Sequence, residues 1–503
     1  MDVLCAKRTD IIMPDSPSNS IAIIGGGLAG LAAAEAACRH GLHVELFEQA
    51  THLGGRAGSF LESFNNRLVD FSQHAAMGCC TNFLDFCRRT KVEDFFHREK
   101  TLHFIGPDNN LHDFAPSRWL PAPFHLSAGL KKLIFLSSSE RRGVARAIKK
   151  LAQKNTSPNK NSESTFGDWL RQQNQSENVV NSFWSIIIHG ALSETIDNVA
   201  LSAARKVFVD GFLSARSAGE MILPDKPLGD ILNKHAGKTL TDQGVRIHRR
   251  SRVMWLETDD NSQPSLVLAE GDVRQFDAVI IAVPWHQAAG LFPPMLLEDM
   301  PEISAAQCLC AGTITAVHLW FDRPITPLPH AILVGKPSQW IFHIPSFPRS
   351  NVGTQFRDAP ASQESRENPE SLNCTHYQVI ISAAHRLALM DKDALLDQVL
   401  KDLSEAFPDV KTARLLHSRV VMQPQAVFSM QPGVNKLRPS QTTSLPNLFL
   451  AGDWTATGWP ATMEGAVRSG YLAVEALLES VGRPQKVLVP DLPRGFWARR
   501  IIA

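Results

Sequence analysis

The sequence is short of several things at once. Its 51 lysines and arginines are balanced by 50 aspartates and glutamates, a net charge of +1 over 503 residues. That balance argues against a general nucleic-acid binder, so local basic clusters have to be judged individually. No apolar stretch approaches the ~20 residues needed to cross a bilayer, so any meeting with a membrane is expected to be peripheral. The eight cysteines (Cys5, Cys38, Cys79, Cys80, Cys87, Cys308, Cys310 and Cys374) form no small-domain framework. The chain also opens without a charged start and apolar run, so a reducing cytoplasmic setting is expected. Cys79-Cys80 and Cys308-x-Cys310 lack a second Cys or His pair at zinc spacing, so no metal is expected and the thiols are expected to be buried or half-buried. Tyrosine occurs only twice, at Tyr377 and Tyr471.

What is present is ordinary in bulk and specific in detail. Hydrophobic residues at 44% and charged residues at 20% suit a soluble globular chain. Its length implies two domains or one large domain with insertions. Residues 1–19 show no periodic apolar face and read as a loose leader.

From Ile21 the pattern sharpens. Ile21-Ala22-Ile23-Ile24 reads as a short buried strand, and Leu28 to Arg39 is Ala-rich and helical by propensity. Gly41 stops that helix, and His43 to Phe47 supplies the next strand. Gly25, Gly27 and Gly30 stand at the spacing of a dinucleotide fingerprint, with Leu28 and Ala29 opening the helix between them. The amides after Gly25 can turn to a pyrophosphate, and Glu48, closing the second strand, suits an adenosine ribose.

Further segments agree with this unit. Leu53-Gly54-Gly55-Arg56-Ala57-Gly58-Ser59 follows the second strand and resembles the "GGR" segment of the amine oxidase and phytoene desaturase superfamily of flavoproteins. The resemblance implies that Gly54 and Gly55 bring the backbone close to the cofactor and that Arg56 neutralises its pyrophosphate. Asp277 to Val283 and Leu448 to Ala451 read as buried parallel strands. After the second comes Gly452-Asp453, which is similar to the superfamily's "AGD" and implies a carboxylate against the ribitol or pyrophosphate. The run Trp459-Pro460-Ala461-Thr462-Met463-Glu464 then opens an apolar helix through Leu477, whose N-terminus suits the electron-rich edge of a reduced flavin. Trp459 is expected to pack at the flavin. The fold class expected is α/β, a Rossmann-type FAD-binding domain assembled from residues 20–91, 227–291 and 439–480. An inserted α+β substrate domain would take residues 92–226 and 292–438, with 481–503 as a C-terminal tail.

A finer resemblance rests on Thr165 to Leu170, Phe183-Trp184, Val207 to Leu213, Pro224 to Leu228 and the run "LAGDWTATGWPATMEGAVRSG". Together these look like the squalene-associated, FAD-dependent hydroxysqualene dehydroxylase family. Asp70-Phe71-Ser72-Gln73-His74 and Gln423 to Phe428 depart from that family's usual runs. The resemblance implies removal of an allylic hydroxyl from hydroxysqualene to give squalene, with reduced FAD as donor. Such chemistry needs a proton donor and a dry apolar channel with aromatic faces, for which the 26 Phe and 10 Trp supply material. His74 is the first candidate donor, with His189 and Glu194 behind it.

A substrate of this kind implies delivery from a bilayer. Arg118 to Lys154 carries seven further lysines and arginines among apolar residues, with Glu140 as its only acid, and Phe496 to Ile502 has similar character. Both suit an interfacial segment drawn to anionic lipid. A carotenoid-type desaturase or isomerase shares the cofactor segments and a lipid channel and stays open as the alternative. A prenyl-lipid-binding escort without redox activity is the rival of another class, although Glu48, Arg56 and Asp453 argue for retained flavin contacts. An amine oxidase is disfavoured because Thr462 stands where such enzymes place a tyrosine. The electron donor to FAD is not legible.

Overall fold

The computed structural model describes residues 19–153, 164–259, 263–345, 374–383 and 390–502. Of the expected leader over residues 1–19, all but residue 19 lies outside them, Cys5 included, as do Lys154 and Ala503.

A five-stranded sheet organises one half of the chain. Its strands run in the order Arg246–Arg249, His43–Glu48, Ser20–Ile24, Ala278–Ile281 and Leu448–Leu450, and every neighbouring pair is parallel. Such a sheet must be covered on both faces, which is why its central strands are apolar without alternation. Ile21, Ile23 and Ile280 pack with the helices Leu28–Arg39 and Met463–Ser480, while Ala22, Ile24, Val279 and Ile281 pack with Phe47, Phe276 and Trp285. This is a Rossmann-type arrangement built from segments far apart in sequence.

The expected helix Leu28–Arg39 and the strands at 43, 278 and 448 are all found. The edge strand Arg246–Arg249 was not anticipated, because its RIHR sequence carries no apolar run.

A seven-stranded mixed sheet organises the other half. It takes Leu102–Ile105 and Leu111–Phe114 from the earlier stretch and His330–Leu333, Trp340–Ile344, Ala311–Phe321, Thr375–Ser382 and Leu415–Phe428 from the later one. One face carries the helix Lys392–Ala406, with Leu395, Val399 and Leu403 on Val317, Leu319 and Val379. The opposite face presents Ile380 and Phe342 to an internal cavity.

The cysteines depart from expectation at two places. Cys79, Cys80, Cys87 and Cys374 are buried and Cys38 half-buried, but Cys308 and Cys310 are exposed, beyond the end of the short helix Pro301–Gln307. Among the described residues no cluster of His, Cys, Asp or Glu could hold a metal.

Gly30 fixes how closely the first helix can approach the first strand's turn. A β-carbon there would lie 1.9 Å from the Gly25 carbonyl oxygen, which is backbone and cannot swing away. Gly30→Ala is therefore expected to cost at least the ~1–3 kcal/mol typical of overpacking. Thermal unfolding followed by circular dichroism should show a lowered midpoint, and an unchanged midpoint would disprove the constraint.

Candidate functional site

The turn after Ser20–Ile24 leads into a cleft of 570 Å³. Gly25 has φ +108° and donates its N–H to the Phe47 carbonyl at 2.8 Å, which docks the turn on the neighbouring strand. A β-carbon on Gly27 would meet nothing within 4 Å, so the backbone at this point borders open space. Gly27, Leu28, Ala29, Gly54 and Gly55 all line the cleft, and Gly54 donates to the Gly26 carbonyl at 2.9 Å.

Glu48 is buried, and its carboxylate accepts the N–H groups of Gly26 and Ala50, each at 2.7 Å. A carboxylate offers about four lone-pair sites, so two backbone bonds leave capacity for a ribose hydroxyl. Arg56 donates to Asp453 Oδ1 at 2.5 Å and to the Ala426 carbonyl at 2.9 Å. Asp453 and Gly452 also line the cleft, as do Ala461, Thr462 and Met463. Thr462 caps the helix Met463–Ser480 by accepting from Gly465 N–H at 3.1 Å.

A glycine-bordered wall, a carboxylate with spare lone pairs, a guanidinium and an 18-residue helix N-terminus converge on one cleft. Those donors and acceptors suit the pyrophosphate, ribose and ring of a dinucleotide.

A second, apolar cavity of 290 Å³ shares with the cleft the lining residues Arg56, His74, Ala426, Val427, Ala461, Thr462 and Met463. Its own walls include Phe104, Phe212, Trp340, Phe342 and Ile380. Trp459 and Pro460 line this cavity and not the cleft. Trp459 has Lys206 Nζ 4.5 Å and the Arg468 guanidinium 5.7 Å from its ring centroid, so cations already engage its π system.

Four residues expected at the cofactor, Gly30, Trp459, Pro460 and Glu464, lie outside the cleft lining. Gly30 lies against the Gly25 carbonyl, outside the cleft lining. Glu464 is fully buried and accepts from the N–H groups of Asn82 and Phe83 and from the Asn82 side chain, which ties the helix Thr81–Arg89 to Met463–Ser480. Trp459 sits on the apolar side, as described. At Gly30 and Glu464 the space or bonding capacity is taken by the chain itself, whereas Trp459 and Pro460 border the apolar cavity instead.

His74 stands at the junction of cleft and cavity, and the surface it leaves open faces them. Its Nδ1 lies 2.7 Å from the Ser72 carbonyl, an acceptor only, so Nδ1 carries the proton and Nε2 keeps its lone pair. Burial holds its pKa below the ordinary value, opposed by the Ser72 bond and reinforced by Arg56. In its neutral form this imidazole offers Nε2 as a proton acceptor, a different use from the proton-donor role expected from sequence. His189 bonds to Gln339 at 3.3 Å and Glu194 to Ser429 at 2.5 Å, and neither lines the cavities. The tyrosines are buried elsewhere, which removes material for a tyrosine cage.

Sequence reading missed two basic residues here. Arg438 is buried, with its Nη2 3.0 Å from the Asp453 carbonyl, 2.6 Å from that of Thr455, 3.1 Å from Thr457 Oγ1 and 2.7 Å from the Trp459 carbonyl. Burial lowers its pKa to about 10, so it remains a cation at neutral pH. Lys206 lines the apolar cavity and pairs with Asp210 at 2.9 Å. The only signal for Lys206 was a lysine inside the mostly apolar helix Leu201–Phe208, and for Arg438 there was none beyond its position before the AGD strand.

A Rossmann-type cleft of this make-up, with an apolar cavity beside it, defines the class of dinucleotide-binding proteins. The comparisons narrow this. The chain matches the flavin containing amine oxidoreductase family over residues 28–478 and belongs to it; its cofactor is FAD and it is an oxidoreductase. It is 25% identical to the tomato (Solanum lycopersicum) 15-cis-phytoene desaturase, over 93% of this chain and 80% of that protein. It is 24% identical to a probable zeta-carotene desaturase of Synechococcus elongatus, over 92% of this chain and 98% of that one. Among solved structures, cyclohexylamine oxidase from Brevibacterium oxydans superposes with a TM-score of 0.66 at 17% identity, covering 93% of this chain and 100% of that one, a likeness of fold.

Two predictions follow from the buried charges. Arg438→Met strips the carbonyls of Asp453, Thr455 and Trp459 of their shared donor, and a buried acceptor left unsatisfied costs ~1–3 kcal/mol. The variant should melt earlier and lose flavin on gel filtration, and full flavin retention would show that Arg438 does not shape the loop. Asp70 accepts from Ser59 Oγ and Leu228 N–H, yet burial raises its pKa from 3.8 to about 7. The fold thus favours its protonated form, so this contribution to stability is full in acid and is lost as pH rises through about 7. Asp70→Asn keeps the acceptor and removes the titration. Its melting midpoint should gain on the parent's as pH is raised from about 4 to about 8, and parallel curves would refute the assignment.

Proposed function

We propose that this flavoprotein acts on a long unsaturated isoprenoid chain, and that its reaction is a carotenoid-type desaturation. The observation that carries the reading is the apolar cavity joined to the cofactor cleft at His74. In this reading Gly25, Gly27, Leu28, Ala29, Gly54, Gly55 and Arg56 hold the pyrophosphate side of FAD, Glu48 its ribose, and Gly452, Asp453, Ala461, Thr462 and Met463 the flavin side. Bound FAD supplies a two-electron acceptor or donor of hydride.

The chain's own residues supply the rest. Phe104, Phe212, Trp340 and Phe342 exclude water and align the hydrocarbon. Loss of a hydride from one allylic CH₂ leaves a delocalised cation, and loss of a proton from the neighbouring carbon completes the new C=C bond. The neutral Nε2 of His74 has the lone pair to take that proton. The desaturases among the curated relatives support this direction.

A second reading is reductive loss of an allylic hydroxyl from hydroxysqualene, favoured by the run from Leu450 to Gly470 and by the motifs between Thr165 and Leu228. There the departing hydroxyl needs a proton. Lys206, on the cavity wall, is the N–H donor placed to supply it in that reading.

Anaerobic incubation of the flavin-loaded protein with phytoene or zeta-carotene should reduce the flavin and lengthen the product's conjugated system. His74→Phe should lower kcat by ~10²–10⁴, the usual worth of a general base, with the flavin spectrum unchanged. If instead pre-reduced protein is reoxidised by hydroxysqualene with squalene as product, and the polyenes are inert, the dehydroxylation reading replaces desaturation. Inertness toward all three would end the isoprenoid reading.

A further inference from the structure

The apolar cavity is roofed by one surface layer. Phe104, in its lining, meets the ring of Phe114 at 6.3 Å and that of Phe135 at 6.4 Å. Phe212, also in the lining, belongs to the turn Val209–Leu213. Val209 and Leu213 of that turn are buried against Ala152, Ala498 and Ile502, with Leu126 packed beside them. The layer outside these residues consists of residues 117–136 and the terminal helix Phe496–Ile501. Both are fastened to the same short loop: Arg216 donates to the carbonyls of Ser117 and Leu120, and Gly495 N–H to that of Ser214.

This layer exposes what a soluble surface hides. Trp119 is 91% exposed, Ile134 68% and Phe496 59%, with Leu120, Phe124 and Trp497 also exposed. Arg118, Lys131, Lys132, Arg499 and Arg500 are exposed among them. No aspartate or glutamate occurs in residues 115–136 or 492–503. The nearest acids are engaged by the chain itself, Asp491 with Arg468 and Lys206, Asp113 with His103, Glu140 with Asn178 and Ser176, and Asp210 with Lys206 and Arg494. Tryptophan with lysine and arginine, and no acid, is the composition of a membrane interface, whereas protein interfaces are depleted in lysine.

We propose that this face docks on a bilayer carrying anionic lipid, and that substrate passes from the lipid into the apolar cavity beneath it. The docking stands on the surface alone; the passage of substrate rests on the isoprenoid reading. A cavity of 290 Å³ is at the bottom of the ~300–1,000 Å³ range of pockets for drug-sized ligands, so it holds one segment of a long chain. The remainder then needs an apolar medium, which a docked bilayer provides. Among the described residues no helix is long and apolar enough to cross a membrane, so the contact is with one leaflet.

The test is sedimentation of the full, flavin-loaded chain with vesicles of phosphatidylcholine alone or mixed with phosphatidylglycerol. Binding should be at least about ten-fold tighter to the anionic vesicles, given a gain of ~1 kcal/mol for each basic residue near the surface. The triple variant Trp119→Ser, Phe496→Ser, Trp497→Ser and the quadruple variant Lys131→Gln, Lys132→Gln, Arg499→Gln, Arg500→Gln should each abolish that binding. Flavin spectrum, melting midpoint and turnover of detergent-dispersed substrate should not change. Equal binding to both vesicle types, unchanged binding by the variants, or a lipid-free dimer dissolved by the triple variant would overturn the proposal, the last in favour of a second copy on this face. Because binding is read without turnover, failure to find a substrate would sink the isoprenoid reading and leave the docking result standing.

Discussion

The structure turns on one guanidinium. Arg56 sits in the loop after the second strand of the Rossmann-type sheet and reaches Asp453, 397 residues later, and the carbonyl of Ala426 at the end of the longest strand of the mixed sheet. Three segments with no local connection thereby meet at the point where cleft and cavity join. The Asp453 side chain is nearly enclosed while that of Arg56 keeps a third of its surface open toward the cleft. An ion pair so placed is expensive to break, since the buried carboxylate would be left without a partner. It also leaves the cation facing the side from which a cofactor anion would come.

Around that node the fold separates polar from apolar space within a few residues. The cleft side has backbone amides, Glu48 and Arg56; the cavity side has aromatic and aliphatic walls. His74 spans the boundary, and its environment decides its protonation. A desolvated imidazole beside a guanidinium is held neutral, and the Ser72 carbonyl selects which nitrogen keeps the proton. The chemistry this histidine can do follows from its neighbours more than from its residue type.

This is also where sequence reading succeeded and where it ran out. The helix Leu28–Arg39, the glycine spacing and the strands at 278 and 448 were legible because each is a local signal, a short apolar run or a glycine at a fixed offset. Arg246–Arg249 was not, because an edge strand half open to solvent needs no apolar run. Arg438 and Lys206 were illegible for a different reason. Their roles depend on carbonyls and rings brought to them by distant segments, and nothing in their immediate neighbours in sequence signals that. Glu464 shows the converse, a residue in a recognisable run whose carboxylate is spent on holding two helices together.

The same placement bears on how the cavity could tolerate positive charge on a hydrocarbon. The sequence offered aromatic rings in general as the stabilising surface, and placed Trp459 of the signature run at the flavin. In the structure Lys206 and Arg468 already engage the Trp459 ring, so a cation on the substrate would meet their repulsion there. Trp340 and Phe342 differ. They are stacked within 5° of parallel at 5.8 Å, both line the cavity, and no cationic side chain lies over either ring among the described residues. Electrostatics therefore shifts the favourable end of the cavity away from the Trp459 wall, toward strand Trp340–Ile344 of the mixed sheet. In the proposed reaction a cationic substrate carbon would be stabilised from the side of the mixed sheet, and hydride exchange would take place at the junction marked by His74 and Thr462.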